Sequence, residues 1–533
     1  MNFCRIIIRK EGLKNNTVLQ KENQEINPLD FPGFLCEYLK PSRKTIKPAP
    51  HKCPSRRTLM YVPHESSPSK TLITRHVREC PFLFYFSNIQ NLTKRGFTMS
   101  ISANIPDRVK TELNLAIAEA ARTYQNENDR YFSRNRILDV ETMLKLLISM
   151  QGGSLQKELY EAGISATASA FVQSRKKLSW MDFEKVLDVF NSYHSDTKTY
   201  KGYRILAVDG TAVNMPRNTK SESYMCNKSV PKGYNQLHVT PLYDVLNKIY
   251  LHSVIQPQPR QDEVGALKFM LEWYNFEKKT LIVADRGFES YNVFAHFMSK
   301  KVDFLIRVKQ ERTAMREVAK LPMKELDTDI SFTITTTQTN KDKENGYIFL
   351  QTHKNKNRIY SSNTNCTRWD FPPYPMKLRI VRFMLDTGQY ETLATSLPRS
   401  FTLQEIKELY HARWGIETAF RELKYGFGLV NLHGKNDDFV KQEIFAAMIM
   451  SNFCSRIAGK VVVEKPKKNI HAYKVNWNMA VYLCKKFYRE ENGNGKQLMK
   501  DIAKYTEAVR PNRSDERNLK AKAFVGFTYR VSA

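Results

Sequence analysis

The chain has 533 residues with 84 Lys and Arg against 54 Asp and Glu, a formal net charge of +30 that points to a polyanionic partner. A content of 41% hydrophobic and 11% aromatic residues excludes a wholly disordered basic tail, and at roughly 100–200 residues per domain the length has room for about three or four units. The longest apolar stretches, such as Phe82 to Phe86 and Phe445 to Met450, are too short to span a membrane, and eight scattered cysteines without a Cys-x-x-Cys pair read as reduced thiols of a soluble, cytosolic protein, with neither a zinc site nor a disulfide frame.

Residues 1–98 hold nine of the 22 prolines, carry 17 basic against 7 acidic residues and show no sustained period, so they are expected to be largely unstructured. Two origins fit them: translation from a mis-assigned upstream start, with Met99 opening the globular part, or a basic arm that holds DNA. From Pro106 to about Tyr193 the apolar period is helical, as at Met143, Leu144, Leu146, Leu147 and Met150 before the Gly152-Gly153 stop. A helix from Ser154 to Ala162 ends at Gly163, and a second follows from Ala168 to Leu178. Its expected exposed positions are Gln173, Ser174, Arg175, Lys176 and Lys177. This spacing suits a helix-turn-helix that offers Gln173 and Arg175 to base edges and Lys176 and Lys177 to phosphates, and it suits an ordinary solvated hairpin as well.

From Arg204 the period changes to strands. Ile205-Leu206-Ala207-Val208 ends at Asp209-Gly210, with hairpin neighbours at Gln236 to Tyr243 and Lys248 to Val254. A helix from Asp262 to Asn275 precedes the buried-type strand Thr280 to Ala284, which ends at Asp285-Arg286-Gly287, and Asp303 to Val308 adds another strand. The order predicts an α/β fold, a mixed sheet with helices packed on it. Residues 311–399 interrupt it with β-rich segments at Ile330 to Thr336, Tyr347 to Thr352, Leu378 to Leu385 and Tyr390 to Ser396, an inserted antiparallel region. The helical period returns at Leu403, runs through Gln442 to Ala458, and gives way to a basic C-terminal part.

Asp209 and Asp285 each close an apolar strand, where open sheets bind ligands, and two carboxylates converging there can bridge hard divalent cations. An Asp-Gly pair is also an ordinary turn. At about 100° per residue, Tyr410, Arg413, Glu417 and Lys424 share one helix face. A third carboxylate there can complete a metal site, with Arg413 and Lys424 on phosphates and Tyr410 donating to one. A solvated helix with i, i+4 ion pairs would show the same residues.

The spacing Tyr410-x2-Arg413-x3-Glu417-x6-Lys424 resembles the YREK signature of DDE insertion-sequence transposases. Ala207-Val208-Asp209-Gly210-Thr211 and Val283-Ala284-Asp285-Arg286-Gly287-Phe288 resemble the first- and second-aspartate motifs of the same family, in the same order. The resemblance covers about residues 110–460. It implies an RNase H-like mixed sheet flanked by helices, with a β-rich insertion before the glutamate and an N-terminal helical DNA-binding domain. The expected division is 1–98, a basic extension; 99–200, helix-turn-helix-like; 201–310 with 400–460, the catalytic core; 311–399, the insertion; and 461–533, a basic helical region that serves dimerisation.

It further implies a cut-and-paste transposase that binds the inverted repeats at transposon ends. Asp209, Asp285 and Glu417 would hold two Mg²⁺ ions, with Mn²⁺ as a substitute, one activating water or a DNA 3′-hydroxyl and the other stabilising the leaving 3′-oxygen. The implied partners are double-stranded DNA at the ends and at the target, and a second copy of the chain in a synaptic homodimer, in a bacterial cytosol at the nucleoid. Trp414 would stack on an unpaired base or pack in the core. Apart from the resemblance, Arg286, Arg307 and Lys309, near the second aspartate, suit contact with DNA backbone and suit plain solvation as well, His238 and His252 are expected to be packed or surface residues rather than ligands, and Asp262 and Glu263 to be first-turn residues of their helix. A catalytically inactive DNA-binding repressor or bridging protein, and an RNase H-like nuclease without strand transfer, share much of this pattern.

Overall fold

The computed structural model describes residues 105–509 apart from 129–130, 133–135, 229, 277, 311–314, 336–337, 350–372 and 464–471. Residues 1–98 and the last part of the basic C-terminal region lie outside the described residues. So does the end of the Tyr347 to Thr352 segment.

The described chain opens with helices α1 (Ile105–Glu127), α2 (Val140–Ser149), α3 (Leu155–Glu161), α4 (Ala168–Arg175) and α5 (Trp180–Ser192). Asp139, Ser154, Thr167 and Ser179 cap the last four, each side chain accepting a hydrogen bond from an amide of the first turn. Caps of this kind stabilise a helix by about 1 kcal/mol each. Gly163, at φ +66°, turns the chain between α3 and α4, a conformation that suits glycine.

The sheet follows: β1 (Arg204–Val208), β2 (Thr211–Met215), β3 (Tyr224–Asn227), β4 (Val230–Asp244), β5 (Ile249–Pro257), α6 (Glu263–Trp273), β6 (Thr280–Ala284), α7 (Tyr291–Ser299), β7 (Asp303–Arg307), α8 (Arg316–Ala319), β8 (Leu326–Thr335), α9 (Asn340–Glu344), β9 (Ile348–Phe349), β10 (Tyr374–Met384) and β11 (Tyr390–Thr395). The strands join in the order β2-β4-β1-β6-β7-β11-β10-β8-β9, with β3 and β5 also paired to β4. β1, β6 and β7 run parallel to one another, and β4 is antiparallel to both β1 and β5. The strands of 311–399 therefore extend the central sheet, because β11 pairs antiparallel with β7, and β10 pairs with β11 and β8.

Side chains alternate between the two faces of the sheet. Ile205 and Ala207 of β1, with Leu281 and Val283 of β6, join the hydrophobic cluster that includes α1–α5 and the helices after the sheet. Leu206, Val208, Ile282 and Ala284 join the opposite cluster, with α6 and α7. Both faces are covered, which is why these strands read as unbroken apolar runs.

After the sheet come α10 (Leu403–Ala412), α11 (Trp414–Arg421), a π-helical turn over Glu422–Gly426, α12 (Asp437–Ala458), β12 (Ala472–Val475), α13 (Trp477–Arg489), α14 (Gly495–Lys504) and β13 (Thr506–Val509), the last strand pairing with β12. Among the described residues no helix is long and apolar enough to cross a membrane.

The expected exposure of Arg175 is corrected here. α4 stops at Arg175, three residues short of the expected Leu178, and the Arg175 side chain is buried. Its guanidinium donates to Gln442 Oε1 at 2.7 Å, Glu443 Oε1 at 3.0 Å and the Phe439 carbonyl at 2.6 Å. Each of its three guanidinium nitrogens donates to α12, and the side chain is buried. Gln173 and Lys176 are exposed, and Lys177 is half-buried with its ammonium 5.0 Å from the Phe132 ring centre.

Candidate active site

Strand register places the two aspartates. Val208 is level with Ala284 in the parallel β1–β6 pair, so Asp209 and Asp285 leave adjacent strands at the same height, with neighbouring strands about 4.8 Å apart. By alternation each follows a residue that faces the α6–α7 side, so both start toward the face covered by α10–α12. Asp209 Oδ1 accepts from the Gly210 amide at 2.8 Å, and Asp285 Oδ1 accepts from the Gly287 amide at 2.7 Å, fixing each carboxylate at its strand end.

From that face Arg413, at the junction of α10 and α11, is buried at 6% exposure. Its Nη1 lies 3.5 Å from Asp209 Oδ2 and its Nη2 3.1 Å from Glu417 Oε1. One guanidinium thus bridges the first aspartate and the glutamate. Burial works against its charge, but Tyr410, Asp209 and Glu417 outweigh that, and the group is held above its ordinary pKa. The guanidinium also stacks over the half-buried Trp414, 4.8 Å from the ring centre. Tyr410 is buried, and burial pushes its hydroxyl up to about 12, with Arg413, Glu391, Arg307 and Asp285 as its charged neighbours.

Burial also pushes the Asp209 carboxyl up to about 6. The Gly210 amide and Arg413 oppose the shift, while the negative charges of Asp285 and Glu263 add to it. Asp209 therefore feels two other carboxylates as well as its pairing with Arg413.

Lys424 reaches the site through the π-helical turn. A π turn takes more residues per revolution than an α turn, so Lys424 is rotated off the direction a straight α-helix would give. Its ammonium donates to Thr211 Oγ1 at 2.7 Å, two residues beyond Asp209, and burial lowers its pKa. The remaining basic candidates lie close to acidic groups of the second-aspartate side. Arg307 pairs with Glu391 at 3.2 Å, the Lys309 ammonium lies 3.9 Å from Glu289 while its amide donates to the same carboxylate at 2.8 Å, and Arg286 is exposed directly after Asp285.

Two residues beyond the expected set border the site. A Cβ on Gly210 would overlap Glu263 Oε1 and His238 Nε2, so both side chains lie against the backbone directly after Asp209. The Asp-Gly sequence was their one trace: glycine stands where two side chains close on the main chain.

Among the described residues no three His, Cys, Asp or Glu side chains are gathered tightly enough to enclose a metal ion as they stand. The donor chemistry nevertheless fits a hard divalent cation, because the groups around Asp209 are carboxylates and their mutual repulsion is what a cation relieves.

No curated protein sequence matches the chain. Among solved structures, a piggyBac transposase synaptic complex with hairpin DNA, studied by cryo-EM, is similar at a TM-score of 0.35 and 11% identity over 81% of this chain and 83% of that one. Residues 200–453, which carry both aspartate strands, Arg413, Glu417 and Lys424, match the family model of the transposase DDE domain.

Proposed function

We propose that the chain is a transposase of the group carrying the YREK signature, built on an RNase H-like core, and that it cuts and rejoins DNA at the ends of an insertion sequence. The observation that carries this reading is the meeting of Asp209 and Glu417, 208 residues apart in the chain, on one buried guanidinium, with Asp285 level with Asp209 on the next strand. The sheet supports the core assignment: an antiparallel β5-β4-β1 unit continues into parallel β6 and β7. The match of residues 200–453 to the transposase DDE domain agrees with it.

In this reading Asp209, Asp285 and Glu417 hold the divalent cations, Mg²⁺ in the cell with Mn²⁺ as a substitute. The chemistry that such ions supply is neutralisation of charge at the phosphodiester and a lowered pKa for the attacking water or hydroxyl. The chain's own residues position the DNA around that point. Arg413 holds two of the carboxylates in place with the buried Tyr410 beside it, and Lys424 and Trp414 face the DNA near the cut, the latter by stacking on a base. Arg286, Arg307 and Lys309 take backbone phosphates beside the second aspartate, and Gln173, Lys176 and Lys177 take part in end recognition. The net charge of +30 supplies the long-range attraction. A homodimer holds two ends together.

The test is strand cleavage on DNA carrying the inverted repeats that flank the reading frame. Asp209→Ala, Asp285→Ala and Glu417→Ala are each expected to bind end DNA in a gel-shift assay and to lose Mg²⁺-dependent cleavage by at least about a hundredfold, the scale of losing an electrostatic group of an active site. Full cleavage by all three variants refutes the assignment. Joined products on an added target duplex separate a transposase from a nuclease.

A further inference from the structure

We propose that Glu263 is a fourth carboxylate of this site, engaging the same divalent cation as Asp209, and that His238 is the buried residue that positions it. The inference rests on the reading of the site given above. It begins with the helix α6. A carboxylate in a first turn ordinarily serves the helix end, as an N-cap or through the helix dipole. Here Asp262 is the cap, accepting from the Gly265 amide at 2.8 Å. Glu263 is thus relieved of capping, and its carboxylate lies against Gly210 beside Asp209.

Four elements, β2, β4, β5 and α6, bring the groups together. The β2–β4 register pairs Ala212 with His238, which sets the histidine beside the turn that follows β1. β4 then pairs with β5, and β5 leads through the Gln258–Arg260 turn into α6. Glu263 thereby arrives beside Gly210, directly after Asp209. Its side chain is 37% exposed, the same as Glu417 and comparable to the 24% of Asp209. All three can meet a hydrated ion. The charge of Glu263 is felt by Asp209, which places the two carboxylates in one electrostatic environment.

His238 supplies the independent observation. It is 5% exposed, and its Nε2 has no hydrogen-bond partner although it lies 2.9 Å from Glu263 Oε1. The distance is that of an ion pair, while the direction is out of line for a hydrogen bond. A buried ring nitrogen left in that state is unfavourable, and such exceptions mark places where a ligand or a shifted partner completes the arrangement. A rotation of the Glu263 carboxylate brings the contact into line. Hard divalent cations take oxygen before imidazole nitrogen, so the ligand is Glu263, and His238 orients it as an outer-shell partner.

The experiment is calorimetric titration of the full chain with Mn²⁺, without DNA, alongside circular dichroism and thermal melting. Glu263→Gln is expected to weaken Mn²⁺ binding about tenfold or more, the usual scale for disturbing a metal's ligand shell, with an unchanged spectrum and no loss of melting temperature in the absence of ions. His238→Ala is expected to weaken Mn²⁺ binding by a smaller factor and His238→Gln, which keeps a hydrogen-bonding group, to restore part of it. Glu417→Gln and Asp285→Asn are the reference variants. If they weaken Mn²⁺ binding while Glu263→Gln leaves it at the wild-type value, Glu263 is a helix-end residue and this proposal fails with the site reading intact. If neither Glu263→Gln nor the reference variants alter Mn²⁺ binding, the reading of the whole site fails as well.

Discussion

Asp209 carries a stability cost that its own titration exposes. Its folded carboxyl is pushed up to about 6, first by burial, against an ordinary value near 3.9 in an unfolded chain. Between about pH 4 and 6 the folded state therefore binds more protons than the unfolded one, so stability falls as pH rises through that window, and the full deficit stands above it. A difference of that size corresponds to at most roughly 3 kcal/mol. Asp209→Asn is expected to melt higher than the parent at pH 7.5 without divalent ions, to match it near pH 4, and to be inactive; a gain that is the same at both pH values would refute the charge argument. Such trade-offs are ordinary at active sites. At this scale the sequence was legible where a motif sat at a strand end, as for Asp209 and Asp285, or at fixed spacing on a helix, as for Arg413 and Glu417. His238 was read as a packed or surface residue and Glu263 as a first-turn residue, as they are, but their approach to Gly210 was illegible because it depends on the β2–β4 register and on the path from β5 into α6, neither of which leaves a spacing to read.

Helix α4 separates two kinds of basic residue that lie side by side. Arg175 is locked to Gln442, Glu443 and the Phe439 carbonyl of α12, while Lys176 is exposed. Glu443 in turn accepts from the amides of His433 and Gly434, so removing Arg175 strips a buried carboxylate of its cation within a shared network. Arg175→Ala is expected to destabilise the fold by about 3–5 kcal/mol, as breaking one partner of a buried ion pair does, measured by denaturant unfolding. Lys176→Ala should leave stability within about 0.5 kcal/mol, while DNA affinity drops and its dependence on log salt flattens by about one. An Arg175→Ala protein of parental stability would mean that the α4–α12 network carries no load. The sequence marked the stop of α3 at Gly163 because a turn signal is local. It could not mark the partner of Arg175, which lies more than 260 residues away, nor the π turn that carries Lys424 to Thr211, since an added residue in a turn leaves the apolar period almost unchanged.

Over the whole molecule, the proposed function has charge set the approach to DNA, and the sheet sets what can be removed. With a net charge of +30, affinity for duplex DNA is expected to fall by on the order of 10³–10⁵ between 50 and 200 mM salt if six to ten phosphates are contacted, and a flat response would refute an electrostatic footprint of that kind. The β-rich stretch was legible as strands, but its place was not, because alternation tells which residues face a core and says nothing of whose sheet they join. β11 lies against β7 through Leu393 with Arg307, Ala394 with Ile306 and Thr395 with Leu305, and the Phe304, Leu305 and Ile306 side chains it helps to cover are fully buried. Excision of residues 311–399 would therefore leave a parallel strand unpaired along one edge and expose its apolar faces, the combination that promotes edge-to-edge association. The expected outcome is a chain that aggregates or is digested rapidly by protease and lacks a cooperative thermal transition. A monomeric excised protein that melts cooperatively near the parental temperature would show that the strands after β7 form a separable unit, and would move the boundary of the proposed catalytic core back to β7.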